Sequence, residues 1–454
     1  MVTFISFALL VLVPKSLPVL NVGRFKFGWG VGDLLLFSIF YFVFFGELIR
    51  KNKVFVGCMI SVNRSVILYF LTLVFPLIIG MIRFPNEIIL EIGAYIKYFQ
   101  AFMIYYLVRK LVYREWQIKI SLLVFVFVTI GVLIISVIQF FFPDKYVTFW
   151  QTINPENVSL DEDFLLSVRS RLSGPFFNPN SLGYFLLISF PILWWIYTEK
   201  KKYRVRFFYV ILIIISLLVL VFTGSREAYI AFIFCFLTYI YLQKVKILNF
   251  RFFIIFMLIV IILYFQRFYL YQRIVMSTFD DGYLSIASLS DSPRIRIELW
   301  KASIFSLSKY GLIGIGFSQN AKALSEFMLQ NSLDWVAGSH NMYLRAFVEG
   351  GVLGFIFFTY MLLKIWSIRK YACPQGWEKF NYAFLAGFIG IVVAGIFGEP
   401  FQDKSLVIPF FYLLGVTMSI IELKKESNKN IEFSKDTLSD SSFRQKVIYK
   451  NALG

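Results

Sequence analysis

The chain has 454 residues, of which 59% are hydrophobic, 20% are aromatic and only 16% are charged. A soluble domain needs more polar surface than this composition supplies, so the sequence excludes a water-soluble globular protein. The net charge of +18 does not indicate nucleic-acid binding, because the basic residues stand in short clusters between apolar runs.

Repeated apolar runs of about 17–25 residues predict an all-α polytopic membrane protein. The first run lacks a basic flank and a small-residue cleavage site, so we interpret it as a helix and not as a signal peptide. We predict about twelve spans, near residues 1–14, 31–49, 66–82, 92–108, 119–142, 181–198, 207–223, 227–243, 252–267, 341–363, 380–398 and 405–422.

The distribution of lysine and arginine between the loops predicts the orientation of the chain. Alternate loops carry an excess of basic residues, which places both termini in the cytoplasm by the positive-inside rule. The three cysteines lie in inner loops or within a span, so no structural disulfide is expected. The predicted membrane domain covers residues 1–422, and residues 423–454 form a polar cytoplasmic tail.

Two loops on the outer side are long, at residues 143–180 and 268–340. Within the second, apolar residues recur at helical spacing and predict an amphipathic helix on the outer leaflet. Gly314 and Gly316 follow no strand, so they predict a turn and not a nucleotide-binding loop. The apolar residues that define the amphipathic helix are Trp300, Ile304, Phe305 and Leu307.

Polar residues mark the outer ends of four predicted spans that run inward. Asparagine, serine and aspartate are good N-caps, but a cation at a helix N-terminus opposes the helix dipole unless an anion is shared there. An outward-facing cavity with several arginines therefore predicts a multiply charged anion, and the many phenylalanines suit a lipid. Interfacial snorkelling remains the alternative for each arginine taken singly. The markers are Asn178-Pro179, Ser225-Arg226, Ser339-His340 and Asp403, and the arginines are Arg171, Arg226, Arg294 and Arg296.

His340 is the only histidine, and it precedes a membrane-length apolar segment. Arg345 and Glu349 follow one and two turns further in, and ionisable residues within such segments indicate function. A lone histidine is a poor metal site, and a hydrogen-bonded interfacial histidine is the alternative to a catalytic one.

Four motifs across roughly residues 170–420 resemble, in order and spacing, the O-antigen ligase/polymerase (Wzy-type) superfamily of integral-membrane glycosyltransferases. The first 150 residues match it only as generic spans. The motifs are Arg171…Gly174-x-Phe-x-Asn178-Pro179-Asn180-x-Leu-Gly183, Gly224-Ser225-Arg226, Gly314-x-Gly316, and Ser339-His340-Asn341-x-Tyr-Leu…Glu349-Gly350-x-x-x-Gly354.

This resemblance implies a C-type glycosyltransferase-like fold and transfer of a glycan from an undecaprenyl-pyrophosphate donor to an acceptor glycan. The reaction would polymerise O-antigen or similar repeats at the outer face of the bacterial cytoplasmic membrane. The implied partners are the lipid-linked oligosaccharide, an acceptor glycan or lipid A-core, the bilayer and a chain-length regulator. No cofactor and no metal are expected, since the sequence has no His/Cys cluster.

The resemblance and the chemistry together give a set of candidate residues. His340 would accept the hydroxyl proton of the acceptor or orient it, because histidine has a reference pKa of about 6.5. An acidic residue near the last outer loop, Glu399 or Asp403, is the second catalytic candidate, and we choose Glu399. The candidate substrate-binding residues are Arg171, Asn180, Arg226, Arg294, Arg296, Asn341, Arg345 and Glu349.

Two other functions remain open. A ligase of the same superfamily would deliver the glycan to lipid A-core or another acceptor, and the sequence does not separate it from a polymerase. A polysaccharide or lipid flippase would also have about twelve spans, but it should show related halves and polar groups near the bilayer midplane.

Overall fold

The computed structural model describes residues 2–12, 20–22, 25–27, 31–49, 61–153, 171–176, 178–244, 293–330, 338–402 and 406–424. The α-helices in these ranges are α1 (Val2–Leu12), α2 (Val31–Ile49), α3 (Ser61–Thr72), α4 (Val74–Arg83), α5 (Ile88–Leu111), α6 (Glu115–Phe141), α7 (Pro143–Ile153), α8 (Pro179–Glu199), α9 (Tyr203–Phe222), α10 (Arg226–Gln243), α11 (Pro293–Tyr310), α12 (Asn320–Gln330), α13 (Met342–Trp366), α14 (Glu378–Phe397) and α15 (Leu406–Lys424).

A short β-ribbon is the exception to the all-α prediction. Strands β1 (Leu20–Val22) and β2 (Phe25–Phe27) pair antiparallel, with Leu20 opposite Phe27. They lie between the first two predicted spans. Within the described ranges the remaining regular structure is helical, so the all-α part of the prediction is confirmed apart from this ribbon.

Among the described residues, 7 helical segments are long and apolar enough to cross a membrane. They are α6, α8, α9, α13, α14, α15 and the continuous segment of α3 and α4, and each coincides with a predicted span. The apolar runs are predictable because a helix in lipid must satisfy its backbone internally along one continuous stretch.

Four further predicted spans coincide with helices outside this group, namely α1, α2, α5 and α10. In α2 the apolar stretch is limited to Gly32–Gly46, and α5 is interrupted by Glu91 and Lys97. The span expected near 252–267 lies outside the described residues. The count of twelve spans therefore stays a prediction.

The two predicted outer loops contain helices of their own. Helix α7 occupies the start of the first loop, and α11 and α12 lie in the second. The predicted amphipathic segment is part of α11, where Leu299 and Ala302 are buried and Ile304 is 61% exposed. Residues 154–170, 268–292 and 331–337 of these loops, and 425–454 of the predicted tail, are outside the described ranges.

Helices α8, α10 and α14 pack closely because small residues stand where their axes approach. A Cβ added at Gly183 of α8 would lie 2.6 Å from the Cβ of Ala228 in α10. A Cβ added at Gly387 of α14 would lie 3.0 Å from the carbonyl oxygen of Leu187 in α8. Small residues at helix crossings permit such approach in membrane proteins.

This packing brings the N-terminal ends of α8 and α10 to the C-terminal end of α14. A Cβ added at Gly398, just after α14, would collide with the Tyr184 hydroxyl and lie 2.5 Å from Glu227 Oε2. The polar residues at these three helix ends are therefore neighbours, although they stand far apart in the sequence.

The loop that joins α11 to α12 threads between α4 and α13. The Ile315 N–H donates to the Val348 carbonyl at 2.9 Å, and the Phe317 N–H donates to the Pro76 carbonyl at 3.0 Å. At this point α13 is kinked at Gly351, which has φ 61° and ψ −160°. The loop thus fixes the first half of α13, which carries Arg345 and Glu349.

Candidate functional site

The Glu399 carboxylate, placed directly after α14, connects three other segments of the chain. Its Oε1 accepts hydrogen bonds from the His340 backbone N–H and the Ser339 hydroxyl, both at 2.9 Å. The Asn320 side-chain amide, at the start of α12, donates to the same oxygen at 3.5 Å. Oε2 accepts from the Arg345 guanidinium. One carboxylate thus holds the histidine segment, α12 and α13 together.

Arg345 lies between two carboxylates. Besides Glu399, its Nε stands 2.8 Å from Glu349 Oε1, an ion pair whose angle does not meet hydrogen-bond geometry. The three side chains are 17%, 15% and 6% exposed for Arg345, Glu399 and Glu349. Buried charges persist only when they are paired, so removing the Arg345 guanidinium would leave two buried carboxylates without a counter-charge.

The surroundings of Glu399 keep it ionised. Burial raises the pKa of this carboxyl, but the charge and hydrogen bond of Arg345, together with smaller contributions from His340 and Ser339, outweigh it. The resulting pKa lies below the ordinary value of 4.5. At neutral pH Glu399 is therefore a carboxylate whose oxygens already accept several hydrogen bonds.

His340 occupies a backbone conformation that L-residues with side chains seldom adopt. Its φ is +46°, in the left-handed region, where non-glycine residues are uncommon and often mark functional sites. The next residue, Asn341, caps α13, since its Oδ1 accepts from the Tyr343 and Leu344 N–H groups at 2.9 and 3.0 Å. The cap of α13 is thus Asn341 and not the expected Ser339. The backbone on both sides of His340 is fixed by hydrogen bonds.

Arg171 joins the first two motifs. Its Nε donates to the Thr223 carbonyl at 2.8 Å, and a terminal nitrogen donates to Asn180 Oδ1 at 3.2 Å. The turn at Gly224 has φ +61°, and a Cβ there would stand 3.4 Å from Arg171 Nε. The structure therefore brings Arg171 and Asn180 beside the turn that precedes Arg226.

Arg226 begins α10 with an exposed side chain, after the N-cap Ser225, whose hydroxyl accepts from the Ala228 N–H at 3.4 Å. Its neighbour Glu227 is buried, and the Glu227 Oε2 lies 3.8 Å from an Arg296 terminal nitrogen. Helix α11 thereby contacts the N-terminal turn of α10. The side chain of Arg294 lies outside the described residues, as does Asp403.

Sequence reasoning missed Glu227. The available signal was a second charge at the start of an apolar helix, beside Arg226, which helix capping alone also explains. Gly398 lies against Glu227 and directly precedes Glu399. Glu227 therefore lies between Glu399 and the arginine group, which consists of Arg171, Arg226 and Arg296.

The glycine motif forms a turn, as expected. Gly314 and Gly316 have φ +81° and +130°, and a Cβ at Gly314 would lie 2.5 Å from the Glu349 carbonyl. The motif therefore lets the loop pass against the kinked helix that carries Glu349. Among the described residues, no three His, Cys, Asp or Glu side chains gather as a metal site would require.

Two cavities differ in their relation to these groups. The larger, about 740 Å³, is lined almost wholly by apolar side chains of α1, α5 and α6, including Phe4 and Trp116, and contains none of the candidate residues. A smaller cavity of about 260 Å³ has Arg345 in its wall. The smaller cavity is the one connected with the chemistry, because Arg345 binds Glu399.

Residues 211–359 match the family model described as O-antigen ligase. The match covers the second, third and fourth motifs, including Arg226 and His340, and confirms the resemblance to the O-antigen ligase/polymerase superfamily. No curated protein matches the chain. The matched domain and the apolar helices indicate a membrane protein of surface-polysaccharide biosynthesis with glycosyltransferase-like activity.

Proposed function

We propose that this protein transfers a glycan from an undecaprenyl-pyrophosphate donor to an acceptor glycan, and so polymerises O-antigen or a similar surface polysaccharide. The proposed site faces the extracytoplasmic side of the bacterial cytoplasmic membrane, with both termini in the cytoplasm. The observation that carries the proposal is the Glu399 carboxylate, which fixes the His340 backbone and the Arg345 guanidinium beside the arginine group at α10.

The reaction needs a base and a site for the leaving group. A sugar hydroxyl of the acceptor attacks the anomeric carbon of the donor, and the bond between that carbon and the pyrophosphate oxygen breaks. The His340 imidazole takes the hydroxyl proton, and the lipid pyrophosphate leaves with the bonding electron pair. Arginines suit the leaving group, since guanidinium groups bind phosphate oxygens in a bidentate manner.

The contacts separate the roles of the candidates. Arg171 and Arg226 flank the Gly224 turn and are assigned to the pyrophosphate, with Asn180 holding Arg171. Arg296 reaches the same turn through Glu227. Arg345 is already neutralised by two carboxylates, so we assign it with Glu349 and Glu399 to positioning and not to binding the anion.

A ligase is the second candidate, and the description of the matched family model favours it. The same donor chemistry serves both, because only the acceptor differs. A flippase is the third candidate, and the concentration of polar contacts at the ends of α8, α10 and α14 speaks against it.

Purified protein reconstituted in liposomes with lipid-linked oligosaccharide separates the three functions. Growth of polymer without another acceptor supports the polymerase. Product formed only after lipid A-core is added supports the ligase. Transbilayer movement of the oligosaccharide without any new glycosidic bond would overturn the proposal.

Arg226→Ala tests whether Arg226 binds the pyrophosphate of the donor. Loss of one charge-assisted contact should weaken binding of undecaprenyl pyrophosphate roughly 10- to 100-fold. The matched control is Arg204→Ala, because Arg204 is also an exposed arginine in the first turn of an apolar helix, α9. Equal affinities of the Arg226→Ala variant and the wild type, measured by titration in nanodiscs, would contradict the assignment.

A further inference from the structure

The cavity of about 260 Å³ lies between α5, the loop before α12, the first half of α13 and the start of α15. It shares Arg345 with the site described above, but none of Arg171, Arg226 and Arg296 lines it. Its polar wall consists of Lys97, Tyr98, Ser318, Arg345 and Gln402, and its apolar wall of Ala94, Ala101, Phe317, Val407 and Ile408.

Lys97 is the unusual residue in this wall. It lies on α5 six residues beyond Glu91, which corresponds to about 9 Å of helix rise. Its side chain is exposed, and no described carboxylate forms an ion pair with it. Because Lys97 lines the cavity, its charge is available to an anionic ligand there.

The residues around Lys97 leave room for such a ligand. Ala94 and Ala101 stand three residues before and four residues after Lys97, on the same face of α5. Their small side chains open the cavity beside the ammonium group. Val407 and Ile408 of α15 add apolar side chains to the wall.

Lys97 is the cation of this wall that can bind an anion. The Arg345 guanidinium is already paired with the Glu349 and Glu399 carboxylates. Lys97 therefore supplies the positive charge, and the Gln402 amide adds a donor. A volume below the usual 300–1,000 Å³ of small-molecule sites suits a phosphate-sized head group and excludes an oligosaccharide.

We propose that this cavity binds the phosphate head group of the lipid that carries the acceptor glycan, as a second lipid-phosphate subsite. The inference rests on the proposed function, which requires two substrates that meet at His340. The arginine group at α10 would hold the donor pyrophosphate, and Lys97 would hold the acceptor lipid on the other side of Arg345. The phosphate belongs to a prenyl lipid in a polymerase and to lipid A in a ligase.

Lys97→Met tests the proposal, because methionine keeps much of the length of lysine and removes the charge. In reconstituted protein, the donor carries a blocked non-reducing end, and the acceptor is linked through a monophosphate that cannot serve as the leaving group. We expect the KM for this acceptor to rise roughly 10- to 100-fold, with the donor KM and kcat unchanged. The control is Lys110→Met, at the end of the same helix.

Three acceptors identify the source of the phosphate. The effect of Lys97→Met should appear with the prenyl-linked acceptor if the protein is a polymerase, and with lipid A-core if it is a ligase. It should vanish with a soluble acceptor oligosaccharide that has no lipid phosphate. An equal effect with the soluble acceptor would overturn the proposal, because the lysine would then act on Arg345 or on the sugar.

A binding measurement separates failure of this inference from failure of the proposed function. Undecaprenyl phosphate titrated against the protein in native mass spectrometry should occupy two sites in the wild type, and one in Lys97→Met and in Arg226→Ala. Two sites in Lys97→Met would overturn the inference even if transfer occurs. Non-additive effects of Lys97→Met and Asp403→Asn on thermal unfolding would also overturn it, since an internal ion pair would then explain the lysine.

Discussion

Glu399 acts in this account through the groups that it holds. Its Oε1 accepts from the His340 backbone and the Ser339 hydroxyl, and its Oε2 binds Arg345. A carboxylate with so many donors is a poor base, because each hydrogen bond stabilises its ionised form. The sequence indicated a catalytic acidic residue here, whereas the contacts favour a positioning role.

Glu399→Gln should therefore lower kcat more than it changes the donor KM. The variant keeps the shape of the side chain but removes the charge that faces Arg345, and turnover should fall roughly 10- to 100-fold by loss of one charge-assisted contact. Steady-state kinetics of the reconstituted enzyme measure both constants. A proportional rise in donor KM at constant kcat would instead make Glu399 a binding residue.

The same variant gives a pH signature that a purely steric role would not give. The folded pKa of Glu399 lies below its ordinary value of 4.5, so its stabilising contribution is present above that pH and is lost as the pH falls through the folded value. The difference in unfolding temperature between the wild type and Glu399→Gln should be constant from about pH 8 to 5 and should shrink below about pH 4.5. A difference in unfolding temperature that grows on acidification would contradict a lowered pKa of Glu399.

The residues that the sequence indicated and those that it did not differ in a physical respect. His340 and Arg226 were predicted as site residues because a cation at a helix N-terminus conflicts with a local rule. Glu227 was missed because its partner Arg296 is separated from it by a long stretch of chain. The pairing of Arg345 with two carboxylates was missed for the same reason. Glu349 stands one helical turn away, but Glu399 is distant in the sequence.

At the scale of elements, the kink of α13 depends on a close approach between two backbones. Gly351 has φ +61°, and a Cβ there would collide with the Leu312 carbonyl and lie 2.6 Å from the Ile313 carbonyl carbon. The Val352 N–H donates to the Leu312 carbonyl at 3.0 Å on the same side. The loop before α12 therefore holds α13 in its bent form.

Adjacent glycines provide a matched test of this kink. Gly351→Ala should lower the unfolding temperature, since a positive φ alone costs a residue with a side chain about 1–3 kcal/mol. Gly350→Ala should be neutral or slightly stabilising, because nothing lies within 4 Å of its added Cβ. Thermal unfolding in detergent compares the two. Equal effects of the two substitutions would contradict the role of the kink.

The caps of α8 and α10 were predictable and the kink was not. Asn178 and Ser225 cap these helices as their residue types indicated, because capping involves only neighbours in the sequence. A Gly-Gly pair inside an apolar run does not reveal at which of the two glycines the helix kinks. That choice depends on a loop that returns from another part of the chain.

At the scale of the whole molecule, the spans and the site were predictable to different extents. Continuous apolar runs identify helices in lipid without knowledge of their neighbours, so in the described part of the chain every helix that is long and apolar enough matches a predicted span. The meeting of α8, α10 and α14 depends on small residues at their crossings, which the hydropathy pattern does not reveal. The motif order and the predicted topology indicated that these ends belong to one site.

The most direct test of the account is turnover by a His340→Asn variant in liposomes. Asparagine tolerates the left-handed backbone of residue 340, so the fold and donor affinity should match the wild type. It cannot take the hydroxyl proton, and single-turnover transfer should fall by about 10²- to 10⁴-fold. A His340→Asn variant that binds the donor normally and transfers glycan at the wild-type rate would show that His340 is not the base.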